Sequence, residues 1–204
     1  MLVSGWRKNR AFLMRIVRSA KVIAICVGVV LAQSDSVWAT MPKSVRAAHL
    51  YAGLAKAQWI ALGHGPKIVY EVFDPNCPYC HLLFNELRPL IGPYKLTVRA
   101  VPVGYLSSTS MAKAATILTA KHPRRMFLYG ERHYSFHHGM DIPLTIPSKR
   151  VRGILRHNIR LVSASAGYAI VPLLAYRTSD GQEKFVVGPP GRRKLKRIIA
   201  AIRG

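Results

Sequence analysis

The chain has 204 residues, 50% of them apolar, and carries 31 Lys plus Arg against 8 Asp plus Glu, a formal net charge of +23. That length and apolar content suit one ordinary domain with a real core and require no second fold. So much positive charge calls for something anionic nearby, with a solvated basic surface as the plain alternative; the lack of basic and aromatic interleaving, and of any groove-reading motif, speaks against sequence-specific nucleic-acid recognition.

Arg7, Lys8, Arg10, Arg15, Arg18 and Lys21 precede an apolar run, VIAICVGVVLA, from Val22 to Ala32. A basic stretch before a short apolar one is the order of a secretory signal, and these 11 residues fall short of the ~20 that a membrane-spanning helix needs. Residues 1–39 are therefore read as a signal peptide, cut after Ala39, with Ala32-Gln33-Ser34 as second choice. The mature 165 residues, from Thr40, keep 25 Lys plus Arg against 7 Asp plus Glu, a net of +18. Cys26 leaves with the leader, so Cys77 and Cys80 remain. A loop that short restricts the unfolded chain little, so a lone close pair in an oxidising compartment points to chemistry instead of bracing.

Residues 40–66 are predicted as a lead-in helix and linker, because Ser44 to Gly63 is Ala-rich with Leu50, Leu54, Trp59 and Ile60 and reads as one helix ended by Gly63, Gly65 and Pro66. KIVYEVF, Lys67 to Phe73, is a continuous apolar run suited to a central strand buried on both faces. Asp74, Pro75 and Asn76 turn the chain. Pro78 suits a first helical turn, and Leu83, Leu87 and Leu90 carry helical spacing. Strand signals return at Lys95 to Val103, completing a strand, helix, strand unit of the kind that builds parallel sheets.

Ser107 to Ser110 supply N-cap candidates for a helix with Met111, Ala114, Ala115 and Leu118 on one face, stopped near Pro123. Further on, Val151, Ile154, Leu155, Asn158, Ile159 and Val162 form one stripe and Arg152, Arg156 and Arg160 another, an amphipathic helix with a basic outer face. PLLAYR and EKFVVG flank Ser179-Asp180-Gly181 as a hairpin. The last helix sets Leu195, Ile198, Ile199 and Ile202 inward and Arg192, Arg193, Lys194, Lys196 and Arg197 outward.

The most specific feature is CPYC at the junction of a buried strand and a helix. There, helix N–H groups and the macrodipole favour a thiolate, which makes Cys77 the expected nucleophile. Cys80, one turn deeper and less exposed, is expected to attack the mixed disulfide formed by Cys77. Two rivals use the same residues. CPYCH matches the attachment pattern of c-type haem, but such a segment has no need of an apolar strand upstream or a hairpin downstream. A metal site with His133, His137 and His138 lacks a second tightly spaced ligand pair, and those histidines read better as surface residues of an insertion.

The stretches VYEVFDPNCPYC, VPVGYLSSTSMAKAATILTA and VPLLAYRTSDGQ resemble the catalytic domain of the periplasmic Dsb thiol:disulfide interchange family, its DsbG branch first and its DsbC branch next. The likeness runs from about Trp59 to the end. It implies an α/β, thioredoxin-like fold over 67–204, with a helical insertion at about 107–166 between the two halves of the core. A histidine directly after the second cysteine is unremarkable in that family. Pro172 aligns with its cis-proline loop, which would leave the backbone of Val171 open for pairing with an extended client. DsbC and DsbG proteins carry threonine before that proline, whereas Val171 matches the oxidase DsbA. Glu71 stands where thioredoxin and DsbA bury an acid; burial would raise its pKa, and beside the buried thiol it is expected to take the Cys80 proton as general base.

The resemblance thus implies Cys77, Cys80, Pro172 and Glu71 as catalytic residues and Val171, Pro78 and Tyr79 as client contacts, with no metal and no cofactor beyond the Cys77–Cys80 disulfide. Expected partners are cysteine-containing exported proteins, a membrane or soluble redox partner that resets the disulfide, and an anionic surface, all in the periplasm. DsbC and DsbG proteins dimerise through a separate N-terminal domain; with about 27 residues between Thr40 and Lys67, that domain is expected to be missing. The competing function is a basic binding or assembly factor of a secretion or conjugation apparatus.

Overall fold

The computed structural model describes residues 40–204. The expected signal peptide lies outside the described residues. In chain order the elements are α1 (Lys43–Lys56), β1 (Ile60–Leu62), β2 (Lys67–Phe73), α2 (Pro78–Leu87, continued by the 3-10 turn Arg88–Leu90), β3 (Leu96–Pro102), α3 (Ser110–Thr119), α4 (Pro123–Arg132), β4 (Tyr134–Ser135), β5 (Gly139–Met140), α5 (Lys149–Ala166), β6 (Leu173–Arg177), β7 (Glu183–Val187) and α6 (Arg192–Ala201).

Five strands form one sheet in the order β1-β3-β2-β6-β7. The apolar run KIVYEVF takes the central place, where both faces are covered. It runs parallel to β3, with Phe73 opposite Pro102, and antiparallel to β6, with Glu71 opposite Leu174. Because strand side chains alternate, Val69 and Phe73 join one apolar cluster with Leu83, Phe84 and Leu87 of α2 and Leu195, Ile198 and Ile199 of α6. Tyr70 and Val72 join the other, with Ala47, Leu50 and Leu54 of α1 and Leu161 and Val162 of α5. Glu71 shares the parity of Val69 and Phe73, so its carboxyl is directed to the α2 side.

The one-helix expectation for Ser44 to Gly63 is corrected. The helix stops at Lys56, Ala57 turns extended, and Ile60–Leu62 pairs antiparallel with β3 in the register Ile60↔Ala100. Local helix preference gives way because β3 would otherwise offer an open edge of unpaired N–H and C=O groups. The same join sets the Arg99 guanidinium over the Trp59 ring at 4.4 Å. Residues 43–62 therefore belong to the core and are not a lead-in.

The insertion is also less purely helical than its sequence reads: the small β4/β5 ribbon lies between α4 and α5. It is part of the core. The buried Phe127 ring of α4 stands edge-on to Phe73 and Phe84, centroids 5.0 Å away in both cases, an arrangement aromatic quadrupoles favour. Arg152, Arg156 and Arg160, and the cations of α6, are exposed as their stripes foretold.

Phe127→Ala should therefore cost about 3–5 kcal/mol in urea denaturation of the whole chain; a loss below about 1 kcal/mol would show that the insertion folds apart from the sheet.

Candidate active site

Phe73 ends the central strand, and the next three residues reverse the chain. Asp74 is buried, and its carboxylate accepts four hydrogen bonds: from Asn76 N–H at 3.0 Å, Ser110 Oγ at 2.7 Å, Tyr105 N–H at 2.9 Å and Leu106 N–H at 3.1 Å. A carboxylate so paired tolerates loss of water. It clamps the turn to the segment that follows β3. Asn76 is the second anchor: its amide nitrogen donates to Ser107, Thr109 and Ser110 hydroxyls at 2.6, 2.9 and 3.0 Å, and its Oδ1 accepts from Lys113 Nζ at 2.8 Å. Gly139, at φ +71°, packs against this turn so closely that a Cβ would lie 2.1 Å from Asn76 Oδ1. The hydroxyls read as helix caps thus serve the turn; Thr109 is the N-cap of α3 and makes no capping bond.

Held by this turn, Cys77 becomes the N-cap of α2, with extended dihedrals (φ −82°, ψ 113°) and Pro78 in the first turn. Its Sγ accepts the Cys80 N–H at 3.3 Å. The Cys77 thiol is held below the ordinary thiol range, first by the hydrogen bond from the Cys80 thiol and then by the Cys80 and Tyr79 N–H groups, against the opposing pull of burial. Cys80 is pushed well up, chiefly by burial and then by donating to Cys77. The two thiols are therefore electrostatically unequal: the neighbouring thiol, ahead of the helix end, holds Cys77 down, and burial holds Cys80 up. In surface terms the difference is slight, since Cys77 is 3% exposed and Cys80 2%. Both are free thiols here.

Val171–Pro172 is a cis peptide. Pro172 is buried, while the Val171 carbonyl faces the cysteine pair and accepts from Cys77 Sγ at 3.9 Å. Tyr79 projects outward beside the sulfurs at 59% exposure, with Pro78 half-buried next to it. Glu71 is 1% exposed, and neither carboxyl oxygen has a hydrogen-bond partner. Burial first, then the nearby Glu131 and Cys77 charges, push its pKa well up. All seven sequence-derived residues thus come together at one end of the sheet.

Sequence reasoning missed the anchors. Asp74 and Asn76 read only as turn residues, and the partners that give them meaning lie 31 to 37 positions away in the chain. It also missed Glu131, whose Oε2 lies 2.6 Å from His81 Nδ1. His81 Nε2 meets Asn85 Nδ2 at 2.9 Å, so both ring nitrogens of the CPYCH histidine are engaged. His133 bonds the Tyr129 carbonyl, His137 and His138 rings are 6.3 Å apart, and among the described residues no group of three or more His, Cys, Asp or Glu is placed to hold a metal.

No family model matches the sequence. The thiol:disulfide interchange protein DsbG of Pseudomonas aeruginosa is 31% identical over 160 residues, 74% of this chain and 61% of that protein. The DsbG protein of Escherichia coli K12 is 26% identical over 72% of this chain and 58% of that protein. The chain thus spans about three-fifths of the length of these relatives. Among solved structures, a periplasmic thioredoxin-like protein from Salmonella enterica serovar Typhimurium superposes with a TM-score of 0.59 at 18% identity, covering 79% of this chain and 97% of that one. A thioredoxin-like sheet that ends on a cysteine pair, and sequence likeness to two DsbG proteins over nearly three-quarters of the chain, make this chain similar to the Dsb thiol:disulfide interchange proteins.

Proposed function

We propose that this chain is an exported thiol:disulfide interchange enzyme, acting in the periplasm on cysteine-containing exported proteins through Cys77 and Cys80. The observation that carries the reading is one sulfur held toward its anion by another, beside a buried carboxyl with no partner. The Cys77 thiolate attacks a client disulfide; a Cys77–client bond forms and the other client sulfur leaves as a thiolate. Glu71, when ionised, takes the proton of Cys80, whose sulfur then attacks Cys77. The Cys77–Cys80 bond closes and the second client sulfur departs, so the client gains two electrons and the pair loses them. Run in reverse, the same steps donate a disulfide, and a membrane or soluble redox partner resets the pair. The Val171 carbonyl, Pro78 and Tyr79 flank the reacting sulfur, as client contacts should. Among the features described here, none separately favours an assembly factor that works by charge alone.

Glu71 must lose its proton before it can act as base, so resolution should speed up as pH rises through its elevated range. Glu71→Gln should flatten that dependence; an unchanged profile removes Glu71 from the mechanism. Folding linkage gives an independent check. In the window between the ordinary carboxyl range and Glu71's raised one, the folded state holds the proton and the unfolded state does not, so stability falls as pH rises, and Glu71→Gln should abolish that fall in denaturation at pH 5 and pH 9.

Cys77 has the opposite sign. Its depressed pKa stabilises the reduced protein fully above the unfolded thiol range, and that stability is lost as pH falls through the folded value. Cys80→Ala, which deletes the leading hydrogen bond, should move the pH midpoint of Cys77 alkylation upward; an unmoved midpoint would return the effect to the helix end. The same variant should trap client proteins on Cys77, whereas Cys77→Ser should trap none and lose all exchange. Full retention of the cellular phenotype in Cys77→Ser would transfer the function to the basic surface.

A further inference from the structure

The chemistry above leaves a second buried acid unused. Glu131, in the last turn of α4, is 6% exposed and its Oε2 meets His81 Nδ1 at 2.6 Å. His81 directly follows Cys80, and its N–H donates to the Cys77 carbonyl at 3.2 Å. The imidazole lies flat on the Tyr134 ring (4.2 Å, 9°), with the Phe136 ring edge-on at 6.1 Å. Asn85 Nδ2 donates to Nε2 at 2.9 Å, which leaves Nδ1 to carry the proton given to Glu131. Tyr134 Oη donates to the Asn76 carbonyl at 3.2 Å, closing the chain of contacts on the active-site turn.

We propose that His81 and Glu131 are a positioning pair through which the inserted helices regulate the resolving half-reaction at Cys80. This rests on the interchange reading and on Glu71 as its base. Glu71 faces α2 from β2, and Glu131 meets the first turn of α2 from α4; both carboxyls are out of water, where charges are screened weakly. The other titratable groups around the pair are Cys77 and Cys80 on α2, Asp74 in the turn and Tyr134 on β4. Lys113 of α3 is committed to Asn76 Oδ1 and the His138 carbonyl. Burial raises the pKa of Glu131, and the hydrogen bond from His81 at 2.6 Å works against that rise; charge on Glu131 opposes ionisation of Glu71. The Cys80 proton is then released later on the pH scale, and the Cys77–client bond persists longer. A second client thiol gains time to displace Cys77, which reshuffles the client disulfide without net reduction.

The test follows resolution of a Cys77–peptide mixed disulfide against pH by stopped flow. Glu131→Gln should move the rise to lower pH and speed resolution on the order of tenfold at a fixed pH below the original midpoint. His81→Asn should move it the same way, because an unpaired Glu131 in apolar surroundings takes up a proton. The double variant should match either single one, and Glu131→Asp, which keeps the charge, should restore the midpoint. Slower turnover with unmoved midpoints, or additive shifts, overturns the proposal and leaves a purely structural pair. Glu71→Gln run alongside separates the failures: if it leaves the profile intact, the base assignment falls and the pair with it; if it flattens the profile while Glu131→Gln does nothing, the pair alone falls.

Discussion

The candidate site depends on a sulfur atom occupying the N-cap of α2. An N-cap side chain accepts from the N–H groups of the first turn, and here the acceptor is Cys77 Sγ, three residues from the thiol that also donates to it. For this to happen the chain must leave β2 and enter α2 within three residues, and the buried Asp74 carboxylate makes that turn rigid by taking four donors from three separate segments. Loosening Asp74 would move the sulfur off the helix end and take away the Cys80 and Tyr79 N–H groups, the lesser of the influences that hold Cys77 down.

Two buried acids within four residues differ in their hydrogen bonding. Asp74 is saturated with donors and serves the backbone. Glu71 has none, so burial drives it toward its neutral form. An unpartnered buried carboxyl costs stability, and its natural place is a site where proton transfer uses it. The third buried acid, Glu131, lies between these cases, with His81 as its partner. With Glu71, Asp74 and Glu131 turned inward, and Lys113 buried too, only four of the seven acids in residues 40–204 remain to offset 24 cations, so the exterior is more basic than the net charge alone conveys.

The insertion is a structural partner of α2 and not an appendage. Phe127 packs into the cluster that contains both sulfurs, Lys113 and the Ser107–Ser110 hydroxyls hold Asn76, and Glu131 holds His81. Each contact ends on α2, on the turn before it or on the last residue of β2, so the inserted helices are packed against the segment that carries both thiols.

Much of this was legible in the linear chain, and the reasons are local. A seven-residue apolar run dictates a central strand because no exposed strand can carry it; a CPYC after a turn dictates a sulfur at a helix start because Pro78 suits the first turn; and the spacing of Leu195, Ile198 and Ile199 dictates an amphipathic end helix. The resemblance to Dsb proteins added Pro172 and Val171, which composition and spacing do not single out. Tertiary structure alone decided the rest. Ile60–Leu62 became a strand because β3 had an edge to cover, and Asp74, Asn76 and Glu131 acquired their roles from donors and acceptors that only folding brings within 3.1 Å. Periodicity encodes which face of an element is buried, whereas a hydrogen bond between distant segments depends on where two backbones come to rest, and no local pattern records that.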